Sequence, residues 1–167
     1  MKLIYKIIIV LISFTLFTGC PLETPFPLGE ANIPVDSTLL GKWLGVDPKN
    51  LLDTICFKLM KFNKNEYFME FYGNGGLNSK SHDNLRCYET KISGVRIMNI
   101  TEISRQLKFS YYRLIVNGKQ MKISYISDEF IKERFDKQDQ LINVLNKNIG
   151  NEKLFDGNIV LKKVENQ

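Results

Sequence analysis

The chain has 167 residues, of which 44% are hydrophobic and 25% charged, with a formal net charge of +5. That length allows one domain of ordinary size after a leader is set aside. The 23 lysines and arginines are spread along the chain rather than massed in one stripe, so a nucleic-acid partner is excluded.

Residues 1–19 have the layout of a secretory signal peptide: Lys2 and Lys6, an apolar run from Ile7 to Phe17, then the small residues Thr18 and Gly19. The run is too short for a comfortable span of roughly 20 residues, and no stop-transfer segment follows. Loss of Lys2 and Lys6 takes the formal charge from +5 to +3.

The segment Leu16-Phe17-Thr18-Gly19-Cys20 resembles the lipobox of bacterial lipoproteins. The resemblance implies cleavage before Cys20, lipidation of Cys20 with palmitate-type acyl chains, and a membrane partner held through that lipid. The implied location is the bacterial cell envelope, and the outer membrane in a Gram-negative cell. Each buried acyl CH₂ contributes about 0.8 kcal/mol, and stable anchoring takes more than one chain. Residues 20–36 hold Pro21, Pro25, Pro27 and Pro34 and are predicted to form an extended tether. Setting Cys20 aside leaves Cys56 and Cys87. In an oxidising compartment they are expected to bridge, closing a 31-residue loop worth about 3–4 kcal/mol in the chain-entropy model. The alternative is two unpaired core thiols.

Residues 37–167 read mainly as strands. Thr54 to Phe62 and Glu66 to Tyr72 form a predicted hairpin around Asn63-Lys64-Asn65, with Ile55, Phe57, Leu59, Tyr67, Met69 and Phe71 turned to a core. A polar, glycine-bearing loop from Gly73 to Asn84 follows. Strands are then expected at Leu85 to Ile92 and Val95 to Ile103. A tight type I′ hairpin is expected at Asn117-Gly118, between Leu107 to Val116 and Lys119 to Ile126. Met121, Ile123 and Tyr125 alternate cleanly with Lys122 and Ser124. The period then changes: Ser127 or Asp128 is predicted to cap a helix with Phe130, Ile131 and Phe135. Asp136 is predicted to cap another with Leu141, Ile142, Leu145 and Ile149, ending at Gly150. Asn158 to Val164 is the last strand.

A meander with a helix before the final strand predicts a small antiparallel up-and-down β-barrel. Leu40-Gly41-Lys42-Trp43 resembles the Gly-x-Trp signature on the first strand of lipocalins and related calycins. The resemblance implies a lipocalin-like barrel that binds small hydrophobic molecules in its interior. It gives Gly41 and Trp43 structural roles, with Trp43 plugging the closed end. A lone tryptophan filling any small β core is the competing reading.

No catalytic residue, metal site or cofactor is expected. Ser81-His82-Asp83 are loop neighbours and cannot converge as a triad, and Gly73-Asn74-Gly75-Gly76 lacks the Lys-Ser/Thr of a phosphate loop. Asn99-Ile100-Thr101 fits a glycosylation sequon only formally, since a strand is predicted there. Alternation along Leu107, Phe109, Tyr111, Arg113 and Ile115 places Arg113 among apolar side chains. As an inward group it would pair with a carboxylate or headgroup, with Phe109 and Tyr111 lining the ligand site. Otherwise a bulge or register change turns it outward, or an internal acid satisfies it. Two functions follow: a membrane-anchored, non-enzymatic binder of a small hydrophobic or amphipathic ligand, or an envelope or surface protein-interaction lipoprotein with a filled barrel core. A large apolar cavity would favour the first.

Overall fold

A computed structural model describes residues 20–46, 54–72, 82–104, 108–131 and 133–164. The expectations for the signal peptide, the Gly73-Asn74-Gly75-Gly76 loop, Ser81 and Leu107 lie outside the described residues. Nine strands form in chain order: β1 Glu23–Thr24, β2 Gly41–Val46, β3 Thr54–Lys61, β4 Tyr67–Phe71, β5 Asp83–Ile92, β6 Val95–Glu102, β7 Phe109–Asn117, β8 Gln120–Ile126 and β9 Phe155–Val164. Each of β2 to β9 pairs antiparallel with the next, and β9 returns to β2 through Lys42↔Val164 and Gly45↔Leu161. The expected small antiparallel barrel is therefore closed by eight strands, which leaves no free edge along its wall. Strand β1 is an extra one, added beside β7 at Glu23↔Ser110, past the point where β8 leaves it.

The turns show how the strands are joined. Ile92 pairs with Val95 across Ser93 (φ 46°) and Gly94 (φ 84°), the two positive dihedrals that a type I′ turn requires. At the β7–β8 hairpin Asn117 pairs with Gln120, so Gly118 and Lys119 are the central residues and only Gly118 has positive φ, at 58°. The type I′ turn expected at Asn117-Gly118 is thus displaced by one residue and has Gly first, the II′ arrangement.

One helix, α1 (Gln138–Asn148), precedes β9. Gln140 Oε1 accepts from the amides of Asp136 and Lys137, capping the first turn from within. The expected helix through Phe130, Ile131 and Phe135 does not form, and Asp136 does not cap α1. Asp128 is engaged elsewhere: its carboxylate accepts from the Cys20 amide at 3.0 Å, and its own amide donates to the Cys20 carbonyl at 3.1 Å.

The residues expected as a tether are docked against the barrel instead. Leu22 N–H donates to the Ile126 carbonyl at 2.7 Å, Leu28 N–H to Asn99 Oδ1 at 2.7 Å and Val35 N–H to the Lys64 carbonyl at 2.9 Å. Pro25 and Pro27 sit between two apolar anchors, Leu22 and Leu28, that are buried. Burial of such side chains, at about 1.5–3 kcal/mol each, offsets part of the entropy cost of ordering the segment, and the backbone hydrogen bonds above add to it.

These anchors belong to a second core outside the wall. On the outer faces of β5 to β7, Ile92, Ile97 and Tyr111 pack with Leu22, Leu28 and Ile131 and with Leu141 and Leu145 of α1. The barrel interior has its own cluster, including Leu39, Trp43, Phe57, Leu59 and Tyr67.

Candidate functional site

The barrel interior is incompletely filled, leaving a cavity of about 690 Å³. Its walls come from inward positions of β3 to β9, among them Phe57, Leu59, Met69, Met98, Leu114 and Met121. Nearer the mouth are Ile55, Phe71, Ile100, Tyr112, Ile123 and Tyr125. Thioether and branched aliphatic side chains make an adaptable, water-excluding lining. The inward facing predicted for β3, β4 and β8 agrees with this lining.

One end is closed by the 3₁₀ turn Ser37–Leu39, whose Leu39 is fully buried in the interior cluster. Trp43, also fully buried, donates from Nε1 to the Leu39 carbonyl at 2.8 Å, and Lys163 Nζ sits 5.6 Å from its ring centroid. Gly41 has φ 121°, and a Cβ there would come within 3.1 Å of Lys163 Cε. A buried polar cluster braces the same end: Glu89 accepts from Tyr67 Oη at 2.7 Å and from Arg96 Nε at 2.7 Å, while Arg96 reaches Asp36 at 3.1 Å. Burial, then the bond to Glu89, pushes the Tyr67 phenol well above its ordinary range. Partial burial raises the Asp36 carboxyl, but hydrogen bonds from Thr38 and Arg96 outweigh it and hold the group below its usual value.

The other end reaches solvent. Glu23 and Lys108 pair there at 2.8 Å with side chains 46% and 69% exposed, and both contribute to the lining with Pro21 and Ser110. Tyr112 and Tyr125 meet edge to face at 6.4 Å. Burial pushes the Tyr112 phenol up to about 12, so it enters the cavity as a neutral hydroxyl. Gly157 makes room for Tyr125, since any Cβ at its φ of 64° would fall inside that ring.

The residues expected to bind a ligand lie elsewhere. Phe109, Tyr111 and Arg113 face outward from β7 and take no part in the lining. Tyr111 and Phe109 pack in the outer core, where the Tyr111 hydroxyl bonds to Thr24 and the Phe26 carbonyl. Arg113 is paired with an exposed acid rather than the internal one expected: it binds Glu152 through two hydrogen bonds of 2.9 Å and lies 3.9 Å over the Phe155 ring. The hydrogen bond from Arg113, then its charge, lowers the Glu152 carboxyl pKa. The β7 residues that do line the cavity, Ser110, Tyr112 and Leu114, are the even-numbered set on the opposite face from the one expected.

Cys56 and Cys87 are free and buried, against the expected bridge. Cys87 belongs to the interior cluster, while Cys56 alternates with the inward Ile55 and Phe57 and so faces out. They also sit on β3 and β5 with β4 between, at least about 9–10 Å apart across the strands and further displaced along them, since Cys87 pairs with Tyr67 while Phe57, next to Cys56, pairs with Phe71; a disulfide spans roughly 7 Å. Burial raises both thiol pKa values. Asn99, fully buried, bonds to Leu28 and Thr90, so the sequon asparagine is occupied. His82 is exposed, its ring 5.5 Å from that of Tyr72. Among the described residues no cluster of metal-ligating side chains occurs, and no helix is long and apolar enough to cross a membrane.

Comparison with protein-family models, curated proteins and solved structures finds no match for the chain.

Proposed function

We propose that the mature chain is a lipid-anchored protein of the bacterial cell envelope that holds a small hydrophobic or amphipathic molecule in its barrel, without catalysing a reaction. The observation that carries the reading is the apolar cavity of about 690 Å³, which falls within the roughly 300–1,000 Å³ of small-molecule sites. A barrel of eight strands can be filled by its own side chains. This one is not, and that counts against the protein-interaction reading, which needs a filled core. The neutral Tyr112 hydroxyl and the Glu23–Lys108 pair at the mouth suit a ligand with one polar end. Anchoring rests on the lipobox-like sequence and on the exposure of Cys20.

The test is native mass spectrometry of the full mature chain purified from its own host, followed by denaturation and extraction. The expected result is one copurified small molecule per chain and an acylated Cys20. An empty barrel that also takes up no added fatty acid would sink the binding role.

A further inference from the structure

Cys20 is fixed at the mouth of the cavity. Its amide and carbonyl both bond to Asp128, Pro21 bridges to Ser127, and Leu22 donates to Ile126 at the end of β8. The next residues, Pro21 and Glu23, already contribute to the cavity lining. An acyl chain on the Cys20 thiol would therefore leave the protein beside the opening, with no slack between anchor and barrel. The Cys20 amide keeps an N–H after N-acylation, so its bond to Asp128 survives lipidation. Two apolar side chains stand out at the same end: Val46, which ends β2, is 47% exposed, and Ile103, just past β6, is 36% exposed.

We propose that the barrel sits mouth-down on the bilayer that holds its anchor, and that its ligand is an acyl chain of a lipid drawn from that bilayer. This rests on the anchored-binder reading above and adds the source of the ligand and its route. With the mouth against the membrane, an acyl chain passes from the bilayer into the cavity without exposing its CH₂ groups to water. Val46 and Ile103 would enter the interface, and Tyr112 and the Glu23–Lys108 pair would meet the headgroup. Fixing the opening at the surface also raises the local concentration of lipid that it meets.

The test uses the full lipidated protein in vesicles of phosphatidylethanolamine and phosphatidylglycerol containing a phospholipid with a diazirine-tagged acyl chain. After illumination, peptide mass spectrometry locates the adducts. Adducts are expected on cavity residues such as Met98 and Ile100. In a second protein, a flexible Gly/Ser linker of about 20 residues, about 25 Å in mean reach, is inserted between Cys20 and Pro21. It should lower labelling from the bilayer about tenfold by uncoupling the mouth from the surface. Both proteins should be labelled equally by diazirine-tagged palmitic acid added in water, which shows that the linker protein is folded and competent. Equal labelling from the bilayer overturns the mouth-down placement and leaves binding intact. No labelling from either source in either protein overturns binding, and an unmodified Cys20 in the host overturns anchoring; the inference falls with each.

Discussion

Tyr112 and Arg113 are neighbours in the chain that look into two different cores: the tyrosine into the hollow of the barrel, the arginine onto Phe155 and Glu152 outside it. Arg113→Ala should therefore lower stability by about 1–3 kcal/mol, through lost stacking on Phe155 and an unpaired Ser124 hydroxyl. The exposed Glu152 adds little. Urea unfolding gives the first quantity, and the amount of copurified ligand should not change. A fall in ligand with unaltered stability would place Arg113 back in the site.

The two cysteines make a count. With Cys56 and Cys87 on opposite sides of the wall, alkylation of the denatured, unreduced protein should add two labels beyond Cys20. In the native state both should react slowly, because burial raises their pKa and leaves little thiolate. A mass two hydrogens lower, with neither residue labelled, would contradict this geometry.

Hollow and packed cores should respond oppositely to volume changes. Ile100→Trp adds bulk where the barrel has room, so stability should change by less than about 1.5 kcal/mol while ligand content drops sharply. Leu145→Ala empties a fully buried position in the outer core and should cost about 2–5 kcal/mol, with ligand stoichiometry retained in the folded fraction. Urea midpoints and ligand extraction on both variants check the pair.

The pH dependence has two limbs. Asp36 is depressed in the folded state, so its contribution is present above the ordinary carboxyl value of 3.8 and is lost as pH falls through the lower folded value. Asp36→Asn should flatten this acid limb. Tyr67, Tyr88, Tyr111 and Tyr112 are raised, chiefly by burial, above their ordinary 10. Above pH 10 the unfolded chain ionises them first, so stability should fall as pH rises further. Urea midpoints across pH 3 to 11.5 read both limbs, and a flat alkaline limb would show that these phenols are not protected.

The barrel and the inward faces of β3, β4 and β8 were legible because each strand has one clearly apolar face. Strand β7 was not, since both of its faces are covered, one by the cavity and one by the N-terminal segment and α1. Alternation then has no sign. The hairpin register had the missing information: Val116↔Met121, Leu114↔Ile123 and Tyr112↔Tyr125 tie the even residues of β7 to the clean inward set of β8. The docking of residues 21–36 was hidden for another reason. Its partners, Asn99, Lys64 and Ile126, are distant in the chain, and four prolines in seventeen residues suggest an extended tether unless those contacts are known.

The solid outer core has a consequence for how this protein can change. In a barrel whose only core is its lumen, each change to the lining side chains is also a change to the packing that holds the fold. Here α1 and the N-terminal segment buttress the flank of β5 to β7 from outside. Met69, Met98 and Met121 can then be exchanged for other apolar shapes without unseating that buttress, which makes the lumen a place where new selectivity can be acquired while the architecture stays put.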